Sequence, residues 1–156
     1  MSELPQTEKI QIGGVDDFEL DVDHYLRKEY GDIGEAALEI PAIIEWVNSK
    51  LQAIVERKHI VKHQIKEREA AAFFDLRDQS AFNAAGFPGK PTDSAVERAV
   101  CLQESVVESY SEFAVLNGWS MRLSNLIMEL QLKMELTRST EATRRNLIGN
   151  SQDDET

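Results

Sequence analysis

Between residues 40 and 72 an apolar position recurs at alternating steps of four and three: Ile40, Ile44, Val47, Leu51, Ile54, Lys58, Val61, Ile65, Arg68 and Ala72. All but Lys58 and Arg68 are apolar, which is the signature of a coiled-coil seam. The pattern predicts a helix over about residues 35–79. Pro41 sits inside it, and either opens the helix in its first turn or kinks one begun near Glu35. Residues 80–92 hold two glycines and two prolines and predict a loop. Ser94-Ala95-Val96-Glu97 then reads as a capping box opening a second helix over about 94–140. Its stripe runs through Val96, Ala99, Val106, Tyr110, Phe113, Leu116, Trp119, Leu123, Leu126, Leu130 and Met134. Asn117-Gly118 interrupts the stripe, but the apolar phase resumes beyond it, so one long helix with a soft spot is expected.

The two ends are less patterned. Residues 1–17, with Pro5, Gly13-Gly14 and Asp16-Asp17, read as a flexible arm. Residues 18–30 suit a short helix or strand, and Gly31 and Gly34 bracket a break. The expected organisation is an acidic, partly structured arm over 1–31, a helical hairpin domain over 32–148 and a disordered acidic tail over 149–156. The fold class is therefore all-α: a long antiparallel helical hairpin with coiled-coil-like seams. A lone hairpin leaves one apolar side of each helix open, so a homo-oligomer is expected. Its seam is assigned to Ile44, Val47, Leu51, Ile54, Val61 and Ile65.

Composition narrows the function. A chain of 156 residues suits one domain, and its single cysteine, Cys101, excludes an internal disulfide and suits a reducing compartment. Met1–Pro5 has neither a basic head nor an apolar run, so no secretory signal is expected, and no apolar stretch is long enough to span a membrane. A soluble protein of the cytoplasm is expected. The net charge of −11 is uneven: −9 over residues 1–45, +2 over 46–100 and −4 over 101–156. A globally basic nucleic-acid binder is excluded, whereas a local basic stripe is not.

Such a stripe exists. Lys58, Lys62 and Lys66 repeat every four residues, flanked by Arg57 and Arg68, and suit a row of phosphates. The alternative is a solvated face balanced by Glu56, Glu67 and Glu69. Lys90, in the loop, is a further candidate contact. Arg138, Arg144 and Arg145 form a second basic cluster that also suits a helix C-terminus. Trp46 and Trp119 lie on or beside the apolar stripes and read as core, while Phe82 and Phe87 sit in the loop and read as exposed. His59 and His63 share a helical face at a spacing that chelates metals, but no third ligand is near, so neither metal nor cofactor is expected. No phosphate-binding glycine loop and no nucleophile motif appears, so the chain reads as a binding protein rather than an enzyme.

Residues 35–136 carry a resemblance. Glu35-Ala36-Ala37 is followed by Trp46-Val47-Asn48, Glu56, and an alanine- and charge-rich helix closing on Phe74-Asp75. Beyond the loop, Lys90-Pro91-Thr92-Asp93-Ser94-Ala95-Val96 matches a Lys-x-Thr-x-x-Ala-Val opening, and Leu123, Leu126, Leu130, Lys133 and Leu136 match a closing helix. These features resemble the UvsY-type recombination mediators of bacteriophages. The resemblance implies a non-enzymatic protein that binds single-stranded DNA as a ring of several subunits. It also implies help to a RecA-like recombinase in displacing the single-strand-binding protein, with Lys58, Lys62, Lys66 and Arg68 contacting phosphates. The acidic first 45 residues depart from the family pattern and suit a basic partner, or competition with DNA for the stripe. Two alternatives stand beside it. One is an acidic helical oligomer that binds proteins and no DNA, as a scaffold, virion component or inhibitor of a host factor. The other is a metal-dependent enzyme built on His59 and His63.

Overall fold

The structure, a computed structural model, describes residues 8–12, 15–30 and 33–153. Residues 1–7 of the expected arm, Gly13-Gly14, Gly31 at the expected break and residues 154–156 of the expected tail lie outside that description. Of the described residues, 81% are helical, and two long helices pack against each other, so the all-α helical hairpin is the fold. The elements in chain order are β1 (Glu8–Ile12), β2 (Val15–Leu20), α1 (Val22–Arg27), α2 (Ile33–Leu76), α3 (Gln79–Ala84), α4 (Asp93–Val100) and α5 (Glu104–Asp153). They form two compact units, one of residues 1–53 and 120–156, the other of residues 54–119.

In the first unit the described part of the expected acidic arm is built into the fold. β1 and β2 pair antiparallel with Ile10 opposite Phe18, and the period-two alternation turns Phe18 and Leu20 inward while Glu19 stays out. Ile10, Phe18 and Leu20 are buried. The sequence signal is Gly13-Gly14 between two β-prone runs, the residue pair that two-residue hairpin turns favour. Phe18 meets Trp46 edge-on at 6.0 Å, and Lys50 lies over both rings. Asp21 caps α1 by accepting the His24 backbone N–H at 2.8 Å. Helix α2 is already running from Ile33 when it reaches Pro41. Pro41 is exposed, so water can take the carbonyl that its missing N–H leaves unbonded. Ala36, Ile40 and Val47 of α2 and Leu123, Leu126, Ile127 and Leu130 of α5 complete the buried set of this unit.

In the second unit the expected loop is partly helical. Asp78 caps α3 through the Ala81 N–H at 3.0 Å. α3 closes on Ala85-Gly86-Phe87: the Phe87 N–H reaches the Phe82 carbonyl at 3.2 Å and the Gly86 N–H the Asn83 carbonyl at 3.0 Å. Gly86 has φ +88°, the left-handed position that this cap demands. The two phenylalanines close the cap at 5.3 Å, so Phe82 is buried and Phe87 half-buried, not exposed as expected. Phe82 joins Leu76, Val96, Ala99, Val100 and Val106 in one core cluster. Thr92, not Ser94, caps α4, accepting the Ala95 N–H at 3.4 Å.

Two further boundaries differ from expectation. The second long helix is broken at residues 101–103, where no glycine or proline stands, and runs unbroken through Asn117-Gly118. It also continues to Asp153, past the expected end near residue 140.

Candidate nucleic-acid interface

The basic stripe divides. Lys58, Lys62 and Lys66 are four residues apart, and each step of four turns about 40° around the helix axis, so a stripe that begins in the seam ends in solvent. Lys58 is half-buried, and its Nζ donates to Asn117 Oδ1 at 3.1 Å. Arg57 donates through Nε and Nη2 to Glu112 Oε1 at 2.9 and 2.6 Å. Arg68 Nη1 donates to Ser109 Oγ at 2.6 Å and to the Ser105 carbonyl at 2.8 Å. These three cations are therefore engaged by α5. Lys62 and Lys66 are exposed, and among the described residues no ion pair or side-chain hydrogen bond holds either. Lys90 is exposed in the α3–α4 connection.

An exposed aromatic lies further along α2, in the Phe74-Asp75 pair. Phe74 is 72% exposed, eight residues beyond Lys66, with Ala70 between them. Phe73 props it edge-on at 6.3 Å, and Arg77 lies over Phe73 at 5.6 Å while pairing with Asp93 at 3.3 Å. The i, i+4, i+8 spacing of Lys66, Ala70 and Phe74 was the available signal. His59 and His63 are exposed. The His63 Nδ1 lies 3.3 Å from Glu67, and among the described residues no three His, Cys, Asp or Glu side chains gather to hold a metal.

The seam assigned to a second copy is occupied by the chain itself. Val47, Ile54 and Val61 are fully covered and Ile65 nearly so, while Ile44 and Leu51 are half-buried. The apolar stripes of two helices in one hairpin satisfy each other, which leaves Val47, Ile54, Val61 and Ile65 almost no surface to offer a partner. On α5 the stripe steps through Val106, Ser109, Phe113 and Leu116, with Ser109 buried and Tyr110 turned out to accept solvent and bond Glu69 at 2.6 Å.

Unit one holds a second polar cluster. Lys133 Nζ donates to the carbonyls of Tyr25 at 3.3 Å, Leu26 at 2.8 Å and Lys28, capping the C-terminal end of α1. Burial pulls the Lys133 ammonium below its usual range. Lys28 pairs with Glu39 and lies 3.9 Å from Glu35, and the Glu39 bond raises its pKa. Tyr30 stands between the two ammonium groups, 5.2 Å from Lys28 and 5.1 Å from Lys133, and its buried hydroxyl has no hydrogen-bond partner among the described residues. Desolvation raises the Tyr30 pKa. Beside it runs an open groove of about 540 Å³, lined by Leu26, Ile33, Leu132 and Leu136 with Arg144 at its edge. Arg144 and Arg145 of the second basic cluster both lean on Glu141, at 3.9 and 3.4 Å.

Among the described residues no helix is long and apolar enough to cross a membrane. The chain matches no protein-family model, no curated protein sequence and no solved structure.

Proposed function

We propose that this chain is a non-catalytic accessory protein of recombination that binds single-stranded DNA as a homo-oligomer and helps a RecA-like recombinase displace the single-strand-binding protein. The observation that carries the reading is the outer face of α2, where Lys62 and Lys66 stand exposed, one turn apart and without internal partners. Phe74, about two turns beyond Lys66, is also an open ring. Cations that track phosphates, with an aromatic on which a base can stack, are what sequence-tolerant single-strand binding uses. The resemblance over residues 35–136 supplies the recombinase and the single-strand-binding protein as partners. The phosphate contacts it implies are narrowed to Lys62 and Lys66, with Lys90 as a loop contact.

The test is binding of a labelled single-stranded oligonucleotide across a salt series, with duplex of equal length as control. Tighter single-strand binding that weakens with salt is expected. Replacing Lys62 and Lys66 by alanine should lower the salt slope by about 1.4, at roughly 0.7 per single-strand phosphate contact. Arg57→Ala should leave the slope unchanged, because its guanidinium is held by Glu112. Absence of binding at low salt would overturn the reading. A second reading would then lead: an acidic helical protein whose partners are other proteins. The net charge of −11 and the apolar outer face of α5 favour it.

A further inference from the structure

We infer that His59 and His63 form a two-pronged site for a divalent transition-metal ion, Cu²⁺, Ni²⁺ or Zn²⁺, on the outer face of α2. The inference goes beyond DNA binding and stands without it.

The chain holds three histidines, and two of them stand four residues apart in one helix. Both lie deep inside α2 (Ile33–Leu76), away from its fraying ends, so their spacing is set before any ion arrives. Side chains at i and i+4 meet on one helical face with Cβ atoms roughly 5–6 Å apart, and helical histidine pairs hold metals at that spacing. Val61, between the two in sequence, is fully buried, because each step of two turns about 200° around the axis. The histidines therefore face water. Both are exposed, and among the described residues no hydrogen bond or ion pair holds His59.

Glu67 prepares the second prong. Its Oε1 lies 3.3 Å from His63 Nδ1. A carboxylate at that nitrogen keeps the ring proton there, which leaves the Nε2 lone pair for a metal and steadies the ring. The surrounding charge does not forbid a cation. Lys62 and Lys66 repel one, while Glu56, three residues before His59, and Glu67 attract it. The net charge of −11 adds attraction at long range.

The donor set selects the ion. Imidazole nitrogen suits Cu²⁺, Ni²⁺ and Zn²⁺, whereas Mg²⁺ and Ca²⁺ take oxygen. Among the described residues no third His, Cys, Asp or Glu joins the pair, so this is not a closed structural centre. Water fills the remaining positions and binding is reversible. A bound ion adds two positive charges to the stretch of α2 that carries Lys62 and Lys66.

The test is titration of the untagged, full-length chain with Ni²⁺ and Zn²⁺ by calorimetry, with Mg²⁺ as control. One Ni²⁺ per chain is expected, and no heat from Mg²⁺. His59→Ala and His63→Ala should each weaken Ni²⁺ binding at least about tenfold, because either change removes one prong. Glu67→Gln should weaken it about threefold, a smaller effect because Glu67 is exposed. His24→Ala and Cys101→Ser should leave it unchanged, which separates the pair from the other exposed histidine and the exposed thiol. Saturating Ni²⁺ should also raise the melting temperature of the wild type and not that of His59→Ala, since the ion bridges a turn that exists only in the folded helix. Absence of Ni²⁺ binding, binding that survives His59→Ala and His63→Ala, or binding lost with His24→Ala or Cys101→Ser would overturn the inference.

Discussion

Arg68 and Ser109 are bonded side chain to side chain, with the guanidinium Nη1 donating to the serine Oγ at 2.6 Å. The Ser109 hydroxyl in turn donates to the Ser105 carbonyl at 2.8 Å, and Arg68 reaches that same carbonyl. A closed polar layer thus sits in a seam whose neighbours, Ile65 and Val106, are buried and apolar. Apolar contacts tolerate a slip of one helix along another. A directional bond does not, so this layer selects one alignment of α2 against α5 in the second unit.

Arg68→Ala should therefore lower stability by about 1 kcal/mol, near the low end for a charged hydrogen bond because Arg68 is exposed to water. Urea denaturation measures it. Ser109→Ala should cost less, since a methyl group suits the apolar seam and Arg68 can turn to solvent. Equal midpoints for Arg68→Ala and wild type would show that the layer adds nothing.

Lys133→Met should destabilise the first unit by about 2–3 kcal/mol, because the carbonyls of Tyr25, Leu26 and Lys28 lose their donor together. Hydrogen exchange locates the effect. The Tyr25 and Lys28 amides, which close α1 onto Asp21 and His24, should exchange faster, while amides around Val61 keep their protection.

Tyr30→Phe should raise stability by about 1 kcal/mol, since it removes a buried hydroxyl that has no partner among the described residues and keeps the ring between Lys28 and Lys133. A lower melting temperature in the variant would mean that the hydroxyl is satisfied in solution.

The Tyr110 phenol donates to Glu69 Oε1 at 2.6 Å, and that bond raises its pKa above the usual 10.0. The protonated form is thus favoured by folding. Its contribution is complete below pH 10.0 and is lost as the pH climbs through the raised folded value. Glu69→Ala should bring tyrosinate absorbance in at lower pH and flatten the alkaline loss of stability. An unmoved titration curve would sever the Tyr110–Glu69 link.

Much of the scaffold was legible along the chain. The fours and threes from Ile40 to Ile65 mark the buried side of α2, and Leu123, Leu126 and Leu130 mark that of α5. Gly86-Phe87 carries the closing cap of α3, and Gly13-Gly14 announces the strand pair. Both are local signals that an acidic or proline-rich context obscured. Residues 101–103 carry no such signal, because the break lets Val100 and Val106 share a cluster with Phe82 and Leu76. The candidate interface was half legible: the stripe shows in the spacing, but its division between seam and solvent depends on which way α2 is rotated.

Sequence alone determined that two long amphipathic helices form and which residues line their seam. Helical periodicity is a local property, and burying an apolar stripe dominates the energy. Tertiary structure decided where each charged residue spends its charge. Arg57, Lys58 and Arg68 meet Glu112, Asn117 and Ser109, 41–59 positions away in the chain. No spacing rule reaches across that distance, because such pairs depend on how the two helices are aligned. The same alignment leaves Lys62, Lys66 and Phe74 facing water, and leaves Met128, Leu132 and Leu136 exposed on the outer side of α5.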